Sequence, residues 1–369
     1  MERPPILASA IPVSNRAREL LSAANTASQA AQTGWIVLLL LTAYYIVALG
    51  GISHRDLLLN APIALPILGI SVSLEQFFLF APPIFIFVHF GVLIQNVILV
   101  RKVYAFLQLI EAQELAEAAS TGRPAVHSLR YEVHSNFFTQ YLAGPPQSPL
   151  ILFFMQVVVW GTLVLLPVGV LLAFQIGFLP FHDATASWLH RAYVFVDIAL
   201  IALIGVFLPS QEEKFWQALG TGVVTYPGFY LFTTLSFAGL FVLSFFIATV
   251  PGEWIDRKLA SVGPSREIAI AGEGGTRRVF TPTALLFEGA LDPATGRAES
   301  LFHRNLIVTD DVLAAGGQAR VSLRYRDLRY ARLDRTDMTA VDLTCADITG
   351  AVLGDTTGAK LGCPSDQVR

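Results

Sequence analysis

The sequence predicts an α-helical multi-pass transmembrane bundle followed by a small β-solenoid. Three observations carry this reading. Five long, almost uncharged apolar runs lie between Trp35 and Val250, and about 20 such residues cross the roughly 30 Å of a bilayer's hydrocarbon. Mean hydropathy is +0.57 and 14% of residues are charged, against roughly 25% in soluble domains. Near the C-terminus a large apolar residue recurs every five positions, at Leu333, Met338, Leu343, Ile348 and Leu353.

Residues 1–34 read as an N-terminal tail and 35–250 as the membrane domain. The first span covers 35–49 with its neutral flanks. The second covers 77–100 and stops at Arg101 and Lys102. The third covers 149–178. The fourth covers 193–208 and needs a start near Trp188 to reach full length. The fifth covers 226–250, before Glu253. Residues 57–74 contain Pro62, Pro66 and Gly69. Two prolines break a helix of that length. The segment is therefore a re-entrant or interfacial piece, or a loop packed on the bundle.

The connection at 101–148 is itself helical in pattern. Val103, Phe106, Leu107, Ile110 and Leu115 keep helical spacing, so the second span continues past the membrane until Gly122, Arg123 and Pro124 break it. A second amphipathic stretch follows at 126–142. Arg3, Arg16 and Arg18 precede the first span, and Arg101, Lys102, Arg123 and Arg130 follow the second. That bias marks the cytoplasmic side. Five spans then put the C-terminal domain outside. Arg257, Lys258 and Arg266 follow the last span and pull it the other way, weakly favouring a cytoplasmic domain.

Polar residues inside the spans are the candidate site: His89, Asn96 and Asp197. A carboxylate in lipid is costly and suggests an ion or proton relay. Asp197 has His190 or Arg191 as a potential partner, and the plainer alternative is a hydrogen bond between packed helices. His89 and Asn96 lie seven apart on one helix face, where they line a polar path or make helix contacts. His182, Trp188 and His190 surround the third-to-fourth connection like an interfacial girdle. With Asp183 they match no metal-ligand spacing.

A period of five fits neither a helix at 3.6 nor a strand at 2. It fits a solenoid in which each unit makes one short side and one corner. The large residue points inward, a small one two places earlier also points inward, and aspartate recurs at Asp327, Asp337, Asp342 and Asp347 as a surface and corner residue. The units are centred on Leu323, Leu328, Leu333, Met338, Leu343, Ile348 and Leu353. The pattern A-(D/N)-L-x-x resembles the pentapeptide-repeat proteins. That resemblance implies a right-handed quadrilateral β-helix with four units per coil, so seven units give slightly under two coils over 321–369. The unit holding Arg326 departs from the pattern, because the position before Asp327 should be small. The junction at 251–320 reads as turns with short strands at 268–270, 279–280 and 285–287, and Asn305-Leu306 resembles a repeat start. The whole layout, membrane spans and then repeats, resembles a bacterial inner-membrane type of repeat protein.

No nucleophile motif, zinc triad or nucleotide fingerprint is present, and Gly272 to Gly275 lack the Lys-Ser or Lys-Thr of a phosphate loop. The chain reads as a non-enzyme without cofactor or metal. Cys345 and Cys363 form no CxxC pair. A net charge of −3, with five arginines against six aspartates across the repeats, argues against nucleic acid and against mimicry of it. The leading function is a membrane-anchored scaffold or interaction module. Its expected partners are the lipid bilayer, a protein and a second copy of the chain. The alternative is an oligomeric channel or transporter with a polar path along His89, Asn96 and Asp197.

Overall fold

The computed structural model describes residues 14–65, 69–207, 214–225, 227–247, 249, 253, 254, 258, 266–269, 277–280, 304–313, 321–354 and 356. The expected strand at 285–287, the turn at 272–275, Arg3, Arg257 and Cys363 lie outside the described residues. The chain divides into two units. One comprises Met1–Tyr45, Ile84–Val170 and Phe195–Phe237, and the other Ile46–Pro83, Leu171–Val194 and Ala238–Arg369.

Helix α1 is Asn15–Gly51, 37 residues. At 1.5 Å per residue that is about 55 Å, well beyond the hydrocarbon thickness. Half of the expected tail is therefore helix. Ala17, Leu21, Ala24, Ser28 and Ala31 are its buried residues there, and their alternating steps of four and three draw one stripe along it. The segment at 52–73 is neither span nor plain loop. It forms α2 (His54–Leu59), capped reciprocally by Ser53 and Asp56, then a hairpin of β1 (Pro62–Leu65) and β2 (Ile70–Ser73). Leu57 and Leu58 are buried.

Helix α3 runs unbroken over Leu74–Thr121. It ends where Gly122, at φ 68°, takes the left-handed conformation and bonds Ala118 O. The expected amphipathic stretch at 126–142 is two pieces. A 3-10 turn at Ser128–Glu132 is separated from α4 (Phe137–Ala143), because the Asn136 side chain accepts from Phe138 N and starts a new helix. The third apolar run is α5 (Pro149–Trp160), a π-helical turn at Gly161–Leu165 and α6 (Leu166–Phe178). Helix α7 (Ala184–Phe207) starts earlier than the apolar run suggests, since Asp183 Oδ1 accepts from Thr185 N and Ala186 N. Helix α8 (Phe215–Thr225) is an addition to the expected elements, and α9 (Pro227–Ile247) is the last apolar helix. Among the described residues, five helices are long and apolar enough to cross a membrane. The expected five runs all fall on them. Leu40, Val47, Phe87, Phe232 and Leu235 stay exposed on their surfaces, as lipid-contacting positions do.

Three prolines sit inside these helices, and each removes the amide that the carbonyl four residues back would accept from. In lipid no water replaces that donor. Pro82 releases Phe78 O, which accepts from His190 Nε2 at 2.9 Å. Pro83 releases Leu79 O, which accepts from the Tyr193 hydroxyl at 3.1 Å. Pro167 releases Leu163 O, which accepts from His89 Nε2 at 3.0 Å. The π turn lies directly before Pro167, where the ring forces the backbone to widen.

The repeat region stacks its turns in parallel. Val321 pairs with Val341, and Asp327 and Arg332 form isolated bridges to Asp347 and Val352. Each link joins residues 20 apart, four pentapeptides. The stacking begins before residue 321: Ile307 bridges Arg332 and Val312 bridges Asp337, and Leu306 and Leu313 are buried. Tyr325, Tyr330, Arg335, Cys345 and Gly350 all have positive φ, so the left-handed corner recurs at the repeat period except at Ala340. The aspartates hold the corners. Asp337, Asp342 and Asp347 each accept, through Oδ1, from the amide two residues on. Gly350 lies under the Tyr330 ring, where a Cβ would come within 2.7 Å of it. Leu323, Leu328, Leu333, Met338 and Leu343 are buried. Ile348 and Leu353, in the last described turn, are half-buried. Strands β3 (Arg266–Ala269) and β4 (Arg277–Phe280) form a separate antiparallel pair.

The proline account is directly testable at Tyr193. Tyr193→Phe alone should cost about 1–3 kcal/mol by stranding a buried carbonyl. In a Pro83→Ala background residue 83 again donates to Leu79 O, and the same change should cost almost nothing. Thermal unfolding of the four proteins in detergent gives the comparison. Equal costs in both backgrounds would reject the account.

Candidate functional site

Two polar constellations stand out, one in each unit. The first lies among the apolar helices. His89 on α3 and Asp197 on α7 are both 0% exposed, with Nδ1 and Oδ1 2.7 Å apart. His89 Nε2 faces the Leu163 carbonyl, which only accepts, so Nε2 carries a hydrogen. A single further proton then lies between Nδ1 and Oδ1. On the imidazole it makes an ion pair, and on the carboxyl it makes a neutral pair, so the pair has no net charge in either state. Asp197 Oδ2 is buried without a hydrogen-bond partner among the described residues. Beside this pair, Trp35 Nε1 donates to Thr162 Oγ1, which donates to Val158 O.

The structure thus joins two of the three expected residues. Asn96 is buried but donates to Val92 O of its own helix, 2.9 Å away. The partner of Asp197 is His89, not His190 or Arg191. His190 serves Phe78 O. Arg191, 2% exposed, makes a two-pronged ion pair with Glu253 at 2.7 and 2.8 Å and lies over the Trp188 ring. Glu253 follows α9, so this pair ties the chain after the last apolar helix to α7.

The second constellation binds the repeat region to two helix connections. From the α1–α3 connection, His54 Nδ1 accepts from Ile307 N at 2.9 Å, and Arg55 pairs with Asp311 at 2.7 Å. From the α6–α7 turn, His182 Nε2 donates to Arg304 O at 2.6 Å, and its Nδ1 stands 3.5 Å from Asp327 Oδ1. His182 takes a left-handed backbone, φ 56°, which turns its ring into the contact. Arg326 lies over the Phe181 ring, 3.5 Å from guanidinium carbon to centroid. The unexpected residue in the pentapeptide pattern is therefore a docking residue. Burial pushes the Asp327 carboxyl up, but His182 and a two-pronged bond from Arg329 outweigh this and hold it well below the usual carboxylate range. A depressed folded value stabilises above the unfolded one, about pH 4. Its contribution is fully present at neutral pH and is lost only as pH falls through the lowered value.

Among the described residues, no group of three or more His, Cys, Asp or Glu is placed to hold a metal ion. The family model described as Pentapeptide repeats matches residues 319–355 in 8 copies, which covers the repeat region alone. No curated protein and no solved structure matches the chain.

Removing one partner of the buried pair leaves the other uncompensated. Asp197→Leu or His89→Leu alone should cost about 3–5 kcal/mol of stability. The double variant should recover most of the Asp197 share, leaving the cost of the stranded Leu163 carbonyl. Unfolding midpoints of the four proteins check this. Additive losses would show that the two side chains do not act together.

Proposed function

We propose that this chain is a membrane-anchored scaffold in a bacterial inner membrane. Its apolar helices span the bilayer and hold a right-handed quadrilateral β-helix against one face, where the solenoid presents a fixed surface to a protein partner. The observation that supports this reading is the set of contacts from His54, Arg55, Phe181 and His182 to residues 304–327. A domain on a free tether needs none of them. The solenoid surface offers Tyr325 and Tyr330, 63% and 48% exposed, among alternating arginines and aspartates. Aromatic residues and arginine are what protein interfaces enrich.

The same contacts bear on orientation. The connections at 52–73 and 179–183 follow the first and third spans, and the repeats follow the fifth. Odd numbers of crossings put all three on the face opposite the N-terminus. Arg16, Arg18, Arg101, Lys102, Arg123 and Arg130 belong to the other face, which the positive-inside rule assigns to the cytoplasm. The solenoid then lies outside the cytoplasm. This reverses the lean given by Arg257, Lys258 and Arg266, since more than about 60 residues follow the last span and so long a segment crosses largely regardless of its charge.

A second reading, a polar path for protons or ions, is favoured by one observation: Asp197 Oδ2 has no partner among the described residues while Oδ1 shares a proton with His89. Photo-crosslinking separates the two readings. A photoreactive residue at position 325 or 330 should trap discrete protein adducts in native membranes, and one at position 40, on a lipid-facing surface, should trap none. Absence of adducts, together with vesicle flux that disappears in Asp197→Asn, would replace the scaffold reading with the path.

A further inference from the structure

A cavity of about 200 Å³ lies where α3 and α7 begin, beside the α6–α7 turn. Glu75, Asp183, Thr185, His190, Phe78 and Phe178 are among the residues that line it. The polar groups present acceptors. Asp183 Oδ1 is committed to the two helix amides, and no bond is formed by Oδ2 among the described residues. His190 is 3% exposed, and its Nε2 hydrogen is committed to Phe78 O. That bond fixes the tautomer of the neutral ring, so Nδ1 is a bare acceptor at the cavity wall. The two phenyl rings, 4.8 Å apart, add apolar wall to the cavity.

The charge count points the same way. Glu75 and Asp183 bring two carboxylate side chains to the cavity lining, and no lysine or arginine is among its lining residues. We propose that this cavity binds a primary ammonium group, carried by an ethanolamine-type lipid headgroup or by a free small amine. Both sources share the chemistry: N–H donors for Glu75, Asp183, Thr185 and His190 Nδ1, and a positive charge beside two carboxylates. A quaternary ammonium has the charge but no donors, and the site discriminates against it. Both helices begin at this level, so a headgroup from the adjoining leaflet reaches the cavity without burying its phosphate. The inference does not rest on the scaffold reading.

The test uses the full chain, stripped of lipid in detergent, with ethanolamine and choline as calorimetric probes. In parallel, native mass spectrometry follows the chain in nanodiscs of mixed phosphatidylethanolamine and phosphatidylcholine. Glu75 is exposed, so Glu75→Gln leaves folding intact and should weaken binding about tenfold, the loss of one charge-assisted bond. Ala186→Phe fills the cavity and should abolish binding. Retained phosphatidylethanolamine without ethanolamine binding identifies the lipid as the source, and saturable ethanolamine binding identifies the free amine. Choline or phosphatidylcholine bound equally well, binding that both substitutions leave unchanged, or no binding of either probe class would overturn the proposal.

Discussion

A helix carbonyl four residues before a proline has lost its amide, and inside an apolar helix nothing but another part of the protein can replace it. Pro82, Pro83 and Pro167 create three such carbonyls, and His190, Tyr193 and His89 cap them. This constraint organises much of the polar chemistry among the apolar helices. It accounts for why a histidine caps a released carbonyl in each proline-containing helix, and it fixes which ring nitrogen is left over. At His89 the remaining nitrogen faces Asp197. At His190 it faces a cavity. The backbone debt is thus settled by rings that keep a second polar atom available.

The repeat region depends on a related economy. Of the six corner positions from 325 to 350, all but Ala340 are left-handed, and only one of those five is glycine. Aspartates bonding two residues ahead compensate by holding the corner from the side chain. The stack buries Leu323, Leu328, Leu333, Met338 and Leu343, and contacts from His54, Arg55, Phe181 and His182 add to it. Arg326 shows the exchange most clearly. It forgoes the small inward side chain that the repeat prefers and gains a ring contact with Phe181.

Much of this was legible in the sequence, and the reasons are physical. Apolar runs of span length and a strict period of five are local signals, so the helices and the repeat centres could be read directly. Helix α8 and the amphipathic half of α1 could not. Small residues such as Ala17, Ala24 and Ala31 carry a weak periodic signal, though their helical spacing is plain once it is sought. The pairing of His89 with Asp197 spans 108 positions and depends on which helices are neighbours, which no local pattern encodes. Pro62 and Pro66 were readable as helix breakers because their segment is short. Pro82, Pro83 and Pro167 lie in long apolar runs that override them, and the carbonyls they release become visible only with the third dimension. Arg326 was visible as a departure from the repeat, but its partner Phe181 was not.

The central claim is that the repeat region is held against the connections that follow the first and third spans, and the topology proposed from counting crossings assigns the connection at 101–148 to the other side of the membrane. Membrane-impermeant thiol labelling of Ser71→Cys, Thr121→Cys and Ser322→Cys, each in a background lacking the native cysteines, tests it most directly. All three positions are exposed. The account predicts that positions 71 and 322 label together from the non-cytoplasmic side of intact cells, while position 121 labels only after the membrane is opened. Positions 121 and 322 labelling from the same side, with 71 on the other, would contradict it.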